Sequence, residues 1–339
     1  MMLRPAGPAG SRRFLAIVPW AAAALLAAGT PAAARTPSGP VPGVPSGSWT
    51  VSPLPVLPGP DRHVQVMGTD GSTAFAGLLG DRAVLWTRDR VVDLGDGLAT
   101  DVNRRGDVVG IRGDIDDLPN SVPTVWRGGR AVELRRPAGA HYAIPQSIND
   151  SGTVLGLAEL DGPTMSLVLW SACSPARVRD LGAGFADVMP VEVTGTGLIV
   201  GNVDPARRAV TGRPATGPRD LPLLPGATSS VASDAVGRFV AGAQVLPELG
   251  QQPVLWVNGR PRLLPGLPDP DQNLARAVNR YGTVAGDGWV RLPGSEPVQL
   301  PLPSGCRSTY TAAITDDSTI AGTCVFPGWK ILPMVWTRQ

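Results

Sequence analysis

Few residues in this chain carry the reactive groups that catalysis needs. The 339 residues include two histidines, His63 and His141, and three cysteines. The sequence contains no Gly-x-Ser-x-Gly nucleophile turn, no His-Glu-x-x-His zinc motif and no phosphate-binding glycine loop. Hydrolysis by carboxylates needs two or more acids that converge in one cleft, and spacing along the chain does not establish convergence. The sequence therefore favours a binding protein without a cofactor, and an enzyme acting on an extracellular polymer, a glycan hydrolase or lyase, is the alternative.

The candidate binding residues are polar side chains in segments that differ from one part of the chain to the next. Two acidic segments, 114–117 and 269–273, place oxygen atoms at alternate positions, as calcium loops do. Both lack the sixth-position glycine and the closing glutamate, so solvated loops are the alternative and no metal is predicted. The candidate set for ligand binding is Asp114, Asp116, His141, Tyr142, Glu159, Asp269, Asp271 and Arg307.

These residues are positioned by a unit that recurs seven times. Its first phrase is a short apolar step, a polar turn ending in glycine, two small or β-branched residues and a second glycine. The phrase is clearest at 101–110, 147–156 and 277–286, where the turn is Asn-x-x-Gly. The second glycines of the seven copies are 33 to 46 residues apart and are Gly77, Gly110, Gly156, Gly201, Gly242, Gly286 and Gly322.

A second phrase, a short β-forming run that ends in tryptophan, follows the first. The tryptophans at matching places are Trp86, Trp126, Trp170, Trp256 and Trp336. Copy four has lost this residue, and copy six keeps only Gly288-Trp289-Val290. We interpret the tryptophans as packing between units rather than as a sugar-stacking surface. A polar turn and a further short run ending in leucine complete each copy.

Each copy therefore predicts four short strands, named A to D, with a tight A–B turn that asparagine and glycine favour. Four strands in roughly 42 residues are typical of a propeller blade. The predicted fold class is all-β, a seven-bladed β-propeller of four-stranded antiparallel blades. An open β-solenoid or two stacked sandwiches are the alternatives.

The two ends of the repeat region predict how the ring is completed. Segment 49–59, before the first copy, resembles the D segment 256–266, while the seventh copy has no D segment after Trp336. We therefore predict that the N-terminal strand closes the last blade, which removes both exposed sheet edges.

The connectivity also sorts the loops into two faces. In a meandering four-stranded blade, the A–B and C–D turns lie on one face, and the B–C and D–A connections lie on the other. The A–B turns here are nearly uniform, whereas the B–C and D–A segments vary in length and composition. Variable loops on a uniform scaffold usually carry the binding residues, so we place the ligand or partner site on the B–C and D–A face, near the central channel.

The cysteines indicate an oxidising compartment. Cys306 lies in the D–A connection before the seventh copy, and Cys324 lies in the B–C loop of that copy. Both positions belong to one face of one blade, so we predict a Cys306–Cys324 disulfide and a free Cys173 on the opposite face.

The N-terminal region has the features of an export signal. Arg4, Arg12 and Arg13 precede an apolar stretch at 14–28 and small residues at 32–34, which predicts a signal peptide over residues 1–34. An uncleaved anchor is the alternative. Residues 35–48, rich in proline and glycine, predict a flexible leader, and 49–339 the repeat domain.

The charge balance excludes a nucleic-acid footprint. The formal net charge is +2, and it becomes −1 without the three arginines of the signal region. We expect a secreted monomer, extracellular or in the cell envelope, with no membrane span after cleavage. Its expected partner is an extracellular glycan or protein.

The repeated phrases resemble the bacterial extracellular HAF repeats, in which an Ile-Asn-x-x-Gly-x-Val-x-Gly step precedes His-Ala-Phe and Leu-Trp. The resemblance covers residues 69–336 and is carried best by 148–156 together with Leu169-Trp170. The chain departs from the family at the namesake triplet, where it has Arg82-Ala83-Val84 and Ser166-Leu167-Val168. The resemblance implies an exported bacterial protein and implies no particular activity.

Overall fold

A computed structural model describes residues 48–58, 63–160, 165–267 and 274–339. The predicted signal peptide, and the predicted leader apart from Ser48, lie outside the described residues. The described chain consists of short β-strands joined by turns, with three short 3-10 helices. The prediction of an all-β fold is confirmed.

The strands follow the repeat units in chain order. The first strand, β1 (Trp49–Pro53), precedes the first unit. Units 1 and 2 contain β2 (Val64–Thr69), β3 (Phe75–Leu79), β4 (Arg82–Thr87), β5 (Arg90–Val102), β6 (Val108–Arg112), β7 (Val122–Arg127) and β8 (Arg130–Glu133). Unit 3 contains β9 (Tyr142–Ile148), β10 (Thr153–Glu159), β11 (Met165–Ser171) and β12 (Ser174–Asp180). Unit 4 contains β13 (Val188–Val193), β14 (Ile199–Val203), β15 (Arg208–Arg213) and β16 (Gly217–Asp220).

The last three units continue this order. Unit 5 contains β17 (Ser229–Val236), β18 (Phe239–Leu246), β19 (Gly250–Val257) and β20 (Arg260–Leu263). Unit 6 contains β21 (Ala275–Val278), β22 (Val284–Gly286), β23 (Trp289–Arg291) and β24 (Val298–Gln299). Unit 7 contains β25 (Ser308–Ile314), β26 (Ile320–Val325) and β27 (Ile331–Arg338). The 3-10 helices are η1 (Leu118–Asn120), η2 (Gly182–Phe185) and η3 (Pro327–Trp329).

The described strands form six antiparallel sheets, which differs from the seven separate sheets that the repeats predict. Five sheets have four strands, and one has seven because strand β5 is shared by units 1 and 2. The first part of β5 pairs with β4 through Asp96, and the second part pairs with β6 from Gly97 onward. The D strand of unit 1 and the A strand of unit 2 are therefore two parts of one extended strand, and the pairing partner changes from β4 to β6 within it. Each half of the joint sheet still contains four paired strands.

The A strands of consecutive units contact one another in chain order. These strands are β2, β5, β9, β13, β17, β21 and β25. Strand β25 of unit 7 also contacts β2 of unit 1, so that the sequence of contacts returns to its starting point.

The N-terminal strand β1 completes the sheet of unit 7, as predicted. It pairs with β27 in an antiparallel register that runs from Trp49 opposite Arg338 to Pro53 opposite Met334. The hydroxyl oxygens of Thr50 and Thr337 lie 2.9 Å apart across this pair.

The repeated tryptophans pack between units, as predicted. All five are buried, and each indole nitrogen donates a hydrogen bond to a carbonyl oxygen near the end of, or just beyond, the D strand of the preceding unit. The pairs are Trp86 with Pro55, Trp126 with Leu94, Trp170 with Arg135, Trp256 with Pro222 and Trp336 with Pro301.

The asparagine turns do more than reverse the chain. In the turn 149–152, the amide of Gly152, which has a φ of 83°, donates to the carbonyl oxygen of Asn149 at 2.9 Å. The Asn149 side chain also donates to the carbonyl oxygen of Thr194 in the next unit at 2.9 Å. The equivalent Asn103 and Asn279 make the same link to the units that follow them. The turn prediction is confirmed, and the turn residue also joins adjacent units.

The cysteine prediction is confirmed as well. Cys306 and Cys324 form a disulfide with their Cα atoms 5.9 Å apart, and Cys173 is free and exposed. In the described ranges, no helix has the length and apolar character that crossing a membrane requires.

Candidate functional site

A cavity of about 990 Å³ lies between the A strands of the seven units. Every unit contributes to its wall, because each A strand turns one row of side chains toward it. One lining residue from each unit, in chain order, is Met67, Asp101, Gln146, Glu192, Asp234, Arg276 and Tyr310.

Each A strand has a bulge at the same place in the repeat. The pairing with strand B skips one residue there, and this irregularity lets two successive residues approach the cavity. The residues directly after the skipped ones, which we name the post-bulge residues, are Gly68, Asp101, Ser147, Glu192, Asp234, Ala277 and Ala313. Units 2 to 5 therefore have polar post-bulge residues, and of these Asp101, Glu192 and Asp234 line the cavity.

The polar post-bulge residues connect neighbouring units through backbone amides. The Oδ2 atom of Asp101 accepts from the Ile148 amide at 2.8 Å, and that of Asp234 accepts from the Val278 amide at 2.7 Å. The Ser147 hydroxyl oxygen accepts from the Val193 amide at 3.1 Å. In each of these three hydrogen bonds, the donor is a backbone amide of the next unit, and it belongs to the residue directly after the post-bulge residue of that unit.

Glu192 makes a different contact from the other two acids. Its Oε1 atom accepts a hydrogen bond from the Ser147 hydroxyl group. The second Oδ atoms of Asp101 and Asp234 are each occupied by the amide of the following residue. Gly68, in unit 1, leaves room for this cluster, because a Cβ atom there would lie 2.3 Å from Oδ1 of Asp101.

The three carboxyl groups influence one another's protonation. Burial raises the pKa of Asp101 to about 8, and the charge of Asp234 adds to the shift. Burial raises the pKa of Asp234 to about 6, although the amides of Val278 and Ala235 oppose the change. Burial, followed by the charges of Asp101 and Asp234, also raises the pKa of Glu192. At neutral pH this wall holds carboxyl groups that can donate as well as accept hydrogen bonds.

Unit 6 carries a charged pair in place of this arrangement. The guanidinium group of Arg276 binds Oδ2 of Asp287 at 2.8 and 3.0 Å. Oδ1 of Asp287 accepts from the Thr311 amide of unit 7 at 2.8 Å, so this acid also joins two units.

The two ends of the cavity differ. At the A–B turn end, Arg104 lies between Asp150, at 3.7 Å, and Asp316, to which it also donates a hydrogen bond. Arg280 binds the same Asp316 at 3.2 Å. Ion pairs from units 2, 3, 6 and 7 therefore cross this end. The opposite end, on the B–C and D–A face, is lined by residues such as His63, Tyr310 and Val325.

The described residues of the predicted ligand-binding set lie outside the cavity wall. Asp114 and Asp116 are exposed, and the Asp116 amide donates to Oδ1 of Asp114 at 2.9 Å within one loop. Arg307 is exposed, and its amide bonds the carbonyl oxygen of Val325 at 2.8 Å. Asp269 and Asp271 lie outside the described residues.

The structure brings together three other members of the predicted set on unit 3. The amide of His141 donates to the carbonyl oxygen of Glu159 at 2.8 Å, and Tyr142 lies opposite Glu159 in the A–B pair. Burial, and then the hydrogen bond and charge of Glu159, raise the pKa of Tyr142. These residues stay a predicted site, separate from the cavity.

Sequence reasoning did not single out Asp101, Glu192 and Asp234. The available signal was positional, since an acid precedes the apolar step of the repeated phrase in copies two, four and five. Elsewhere that position holds glycine, serine or alanine. In the part of the chain that the structure describes, no three His, Cys, Asp or Glu side chains are arranged to hold a metal ion.

No known family model matches this sequence, and no curated protein matches it either. The fold is similar to virginiamycin B lyase from Staphylococcus aureus, a β-propeller protein, with 10% identity, 86% of this chain and 99% of that chain covered, and a TM-score of 0.52. A structure of YCF48 bound to a D1 peptide has 13% identity, covers 88% of this chain and 97% of that one, and has a TM-score of 0.49. The gluconolactonase XC5397 from Xanthomonas campestris has 12% identity, coverage of 82% and 88%, and a TM-score of 0.44. At these identities the likeness concerns the fold alone.

Proposed function

We propose that this protein is an exported, seven-bladed β-propeller that acts as a binding module and holds its ligand in the central cavity. The observation that carries the proposal is the cavity of about 990 Å³, to which all seven units contribute. Its volume is in the range of small-molecule sites, and such sites commonly combine apolar walls with a few polar groups. The returning cycle of A-strand contacts and the pairing of β1 with β27 support a closed ring.

The ligand enters from the B–C and D–A face. The ion pairs of Arg104 and Arg280 with Asp316 narrow the A–B end, which supports entry from the other side. This is also the face on which the loops vary between units. A ligand that reaches the cavity from this side can therefore be selected by the loops that it passes.

The chemistry of the wall favours a ligand rich in hydroxyl groups, such as the end of a glycan. Glu192 presents a carboxyl group, and Gln65 and Gln146 present amide groups. These groups donate and accept hydrogen bonds as sugar hydroxyls do. Arg276 is neutralised by Asp287, so the interior does not favour an anion.

Export is part of the proposal. The apolar segment at 14–28 and the preceding arginines support a signal peptide. The Cys306–Cys324 disulfide is compatible with an oxidising compartment. The resemblance to HAF repeats supports the same location, and membership of that family is proposed with it.

The test is to block the cavity and measure glycan binding. Gln65 lines the cavity and is half-buried, so Gln65→Trp places an indole inside it. Val132→Trp adds the same group to the exposed D strand β8 and serves as the matched control. On a glycan array, the wild type and the control are expected to bind the same glycans, and Gln65→Trp to lose binding. Equal binding by both variants, or capture of a protein partner by both without any glycan, would contradict a ligand in the cavity.

A glycan hydrolase or lyase is the second candidate. It is favoured by three carboxyl groups with raised pKa values that come from three units and meet in one cavity. Glu192 is the candidate general acid, because Asp101 and Asp234 use both oxygens on backbone amides. Turnover of a polysaccharide by the wild type that Glu192→Gln abolishes, with binding retained, would establish this function. Binding without turnover would exclude it for the polymers tested.

A further inference from the structure

One repeat position differs in unit 6. The tryptophan of the second phrase lies in strand C and pairs with a residue of strand B. In unit 5, for example, Trp256 pairs with Val240, which lies two places before the second glycine, Gly242. The same pairing holds for Trp86, Trp126, Trp170 and Trp336. In unit 6 this register position, opposite Val284, is occupied by Arg291. Trp289 lies two residues earlier, opposite Gly286, and packs in the core with Phe239, Leu255 and Leu264.

A pocket of about 410 Å³ lies beside Arg291, between units 5 and 6. Its apolar wall includes Phe239, Leu255 and Leu264, which belong to the core between these units. In the other units that carry it, the repeat tryptophan extends across the equivalent boundary to the preceding unit. Arg291 therefore lines this pocket at the register position that a tryptophan holds in those units.

The charged residues described at this pocket have one sign. Arg238 and Arg262 line it together with Arg291, and the described residues that line it include no aspartate or glutamate. Arg238 lies in the A–B turn of unit 5 with its guanidinium carbon 4.9 Å from the Phe239 ring centre, and Arg262 is exposed on strand β20. Three guanidinium groups thus surround an apolar pocket that opens on the A–B and C–D face.

One nitrogen atom of the Arg291 guanidinium group makes a hydrogen bond, and another has no partner among the described residues. Its Nε atom donates to the carbonyl oxygen of Ser295 at 2.8 Å, which fixes the position of the guanidinium group. Its Nη1 atom is buried and has no hydrogen-bond partner among the described residues. A buried charged donor without an acceptor is unfavourable, and a small shift of the guanidinium group toward an anion in the pocket would give it an acceptor.

We propose that this pocket binds a small organic anion, with one carboxylate or phosphate group on an apolar body. The anionic group meets the guanidinium group of Arg291, which shifts toward it, because guanidinium donors match the geometry of carboxylate and phosphate oxygens. The apolar body lies against Phe239, Leu255 and Leu264. Arg238 and Arg262 contribute long-range attraction at the rim. This site is independent of the central cavity and opens on the opposite face of the molecule.

The test uses calorimetry with four probes: benzoate, phenyl phosphate, inorganic phosphate and the neutral benzyl alcohol. Benzoate or phenyl phosphate is expected to bind with one-to-one stoichiometry and at least about tenfold more tightly than inorganic phosphate and benzyl alcohol. The stronger of the two identifies the preferred anionic group. Failure of both to bind, or equal binding of benzyl alcohol, would overturn the proposal.

Two variants of Arg291 locate the site. Arg291→Trp introduces the tryptophan that units 1, 2, 3, 5 and 7 have at this register position, and it is expected to fill the pocket and abolish binding. Arg291→Gln keeps the pocket but removes the charge, and is expected to weaken binding about tenfold or more. It therefore keeps the proposal testable if the tryptophan variant does not fold. Wild-type affinity in a folded Arg291→Gln variant would overturn the proposal.

A matched pair of arginine variants tests whether binding depends on the position of a charge at the pocket rim or only on the total charge. Arg262 on β20 and Arg219 on β16 hold equivalent places in the D strands of units 5 and 4, opposite Leu255 and Thr211 respectively. Arg262→Gln is expected to weaken binding several-fold, and Arg219→Gln to leave it unchanged. Equal losses in the two variants would reveal a response to total charge and contradict a defined pocket.

Discussion

The indole nitrogen of Trp86 donates a hydrogen bond to the carbonyl oxygen of Pro55 at 2.8 Å. Trp126 makes the corresponding bond to Leu94, which lies at the bulge in the D strand pairing of unit 1. Segment 49–55 therefore accepts a hydrogen bond from the tryptophan of unit 1, just as the D segment of unit 1 accepts one from the tryptophan of unit 2. The segment belongs to unit 7 by its strand pairing and stabilises unit 1 through this bond.

The bonds made by the tryptophans predict a difference between two otherwise identical substitutions. Trp170→Phe leaves the carbonyl oxygen of Arg135 without the indole donor, whereas Trp256→Phe leaves Pro222 with a second donor, the Gln244 amide at 3.2 Å. Both variants lose the same atoms of the indole ring. We therefore expect Trp170→Phe to lower the free energy of unfolding by about 1–2 kcal/mol more than Trp256→Phe. Urea denaturation measures both values, and a larger loss in Trp256→Phe would contradict this account of the bonds.

The cavity acids predict that stability falls as the pH rises from about 5 to about 8. The folded-state pKa values are about 8 for Asp101 and about 6 for Asp234, above the ordinary value of 3.8. In this window the folded protein keeps protons that the unfolded chain releases, so raising the pH favours unfolding. Denaturant titrations at several pH values measure the slope. A free energy of unfolding that increases across this window would contradict the arrangement of the acids.

Glu192→Gln provides the variant for this experiment. Burial raises the pKa of Glu192 as well, and glutamine keeps an oxygen for the Ser147 hydroxyl group. The variant is therefore expected to lose less stability than the wild type between the same pH values. Glu133→Gln changes an exposed glutamate on β8 and serves as the control, with the wild-type slope expected.

The cysteines predict one reactive thiol in the native protein and three after denaturation and reduction. Replacing both Cys306 and Cys324 by serine is expected to lower the free energy of unfolding by about 3 kcal/mol, because the disulfide closes a short loop. Cys173→Ser changes an exposed residue and is expected to alter stability by less than about 0.5 kcal/mol. Thiol titration and denaturation check these values, and three reactive thiols in the native protein would rule out the disulfide.

The repeat explains how much of the fold the sequence predicts. The Trp-ending runs and the Asn-x-x-Gly turns recur, so a single interpretation of Trp170 or Asn149 applies to several copies and becomes secure by repetition. The continuous β5 was not predictable from this pattern, because a D–A connection without a loop is local to 95–97. The displaced Trp289 was equally hidden, since register is set by pairing and not by residue type.

The candidate site was much less predictable from the sequence than the fold. Loop residues such as Asp114 attract attention because acidic clusters are conspicuous in sequence, yet the structure leaves that residue exposed. Asp234 is the single acid of β17, and Asp101 is five residues away from the nearest other acid of β5, so neither belongs to an acidic cluster in the sequence. Their convergence depends on a bulge in each A strand and on the contacts between A strands of different units, which only the three-dimensional arrangement reveals.

The most direct test of the closed ring is a cross-link between its first and last strands. Thr50 and Thr337 are register partners, so cysteines at these positions have the proximity that a disulfide requires. In a Cys173→Ser background, the Thr50→Cys, Thr337→Cys protein is expected to form an intramolecular disulfide and to melt at a higher temperature. The Thr50→Cys, Arg338→Cys pair, whose side chains point to opposite faces, is expected to stay reduced. Two free thiols at positions 50 and 337 in the folded monomer, or a link only between two chains, would contradict closure by the N-terminal strand.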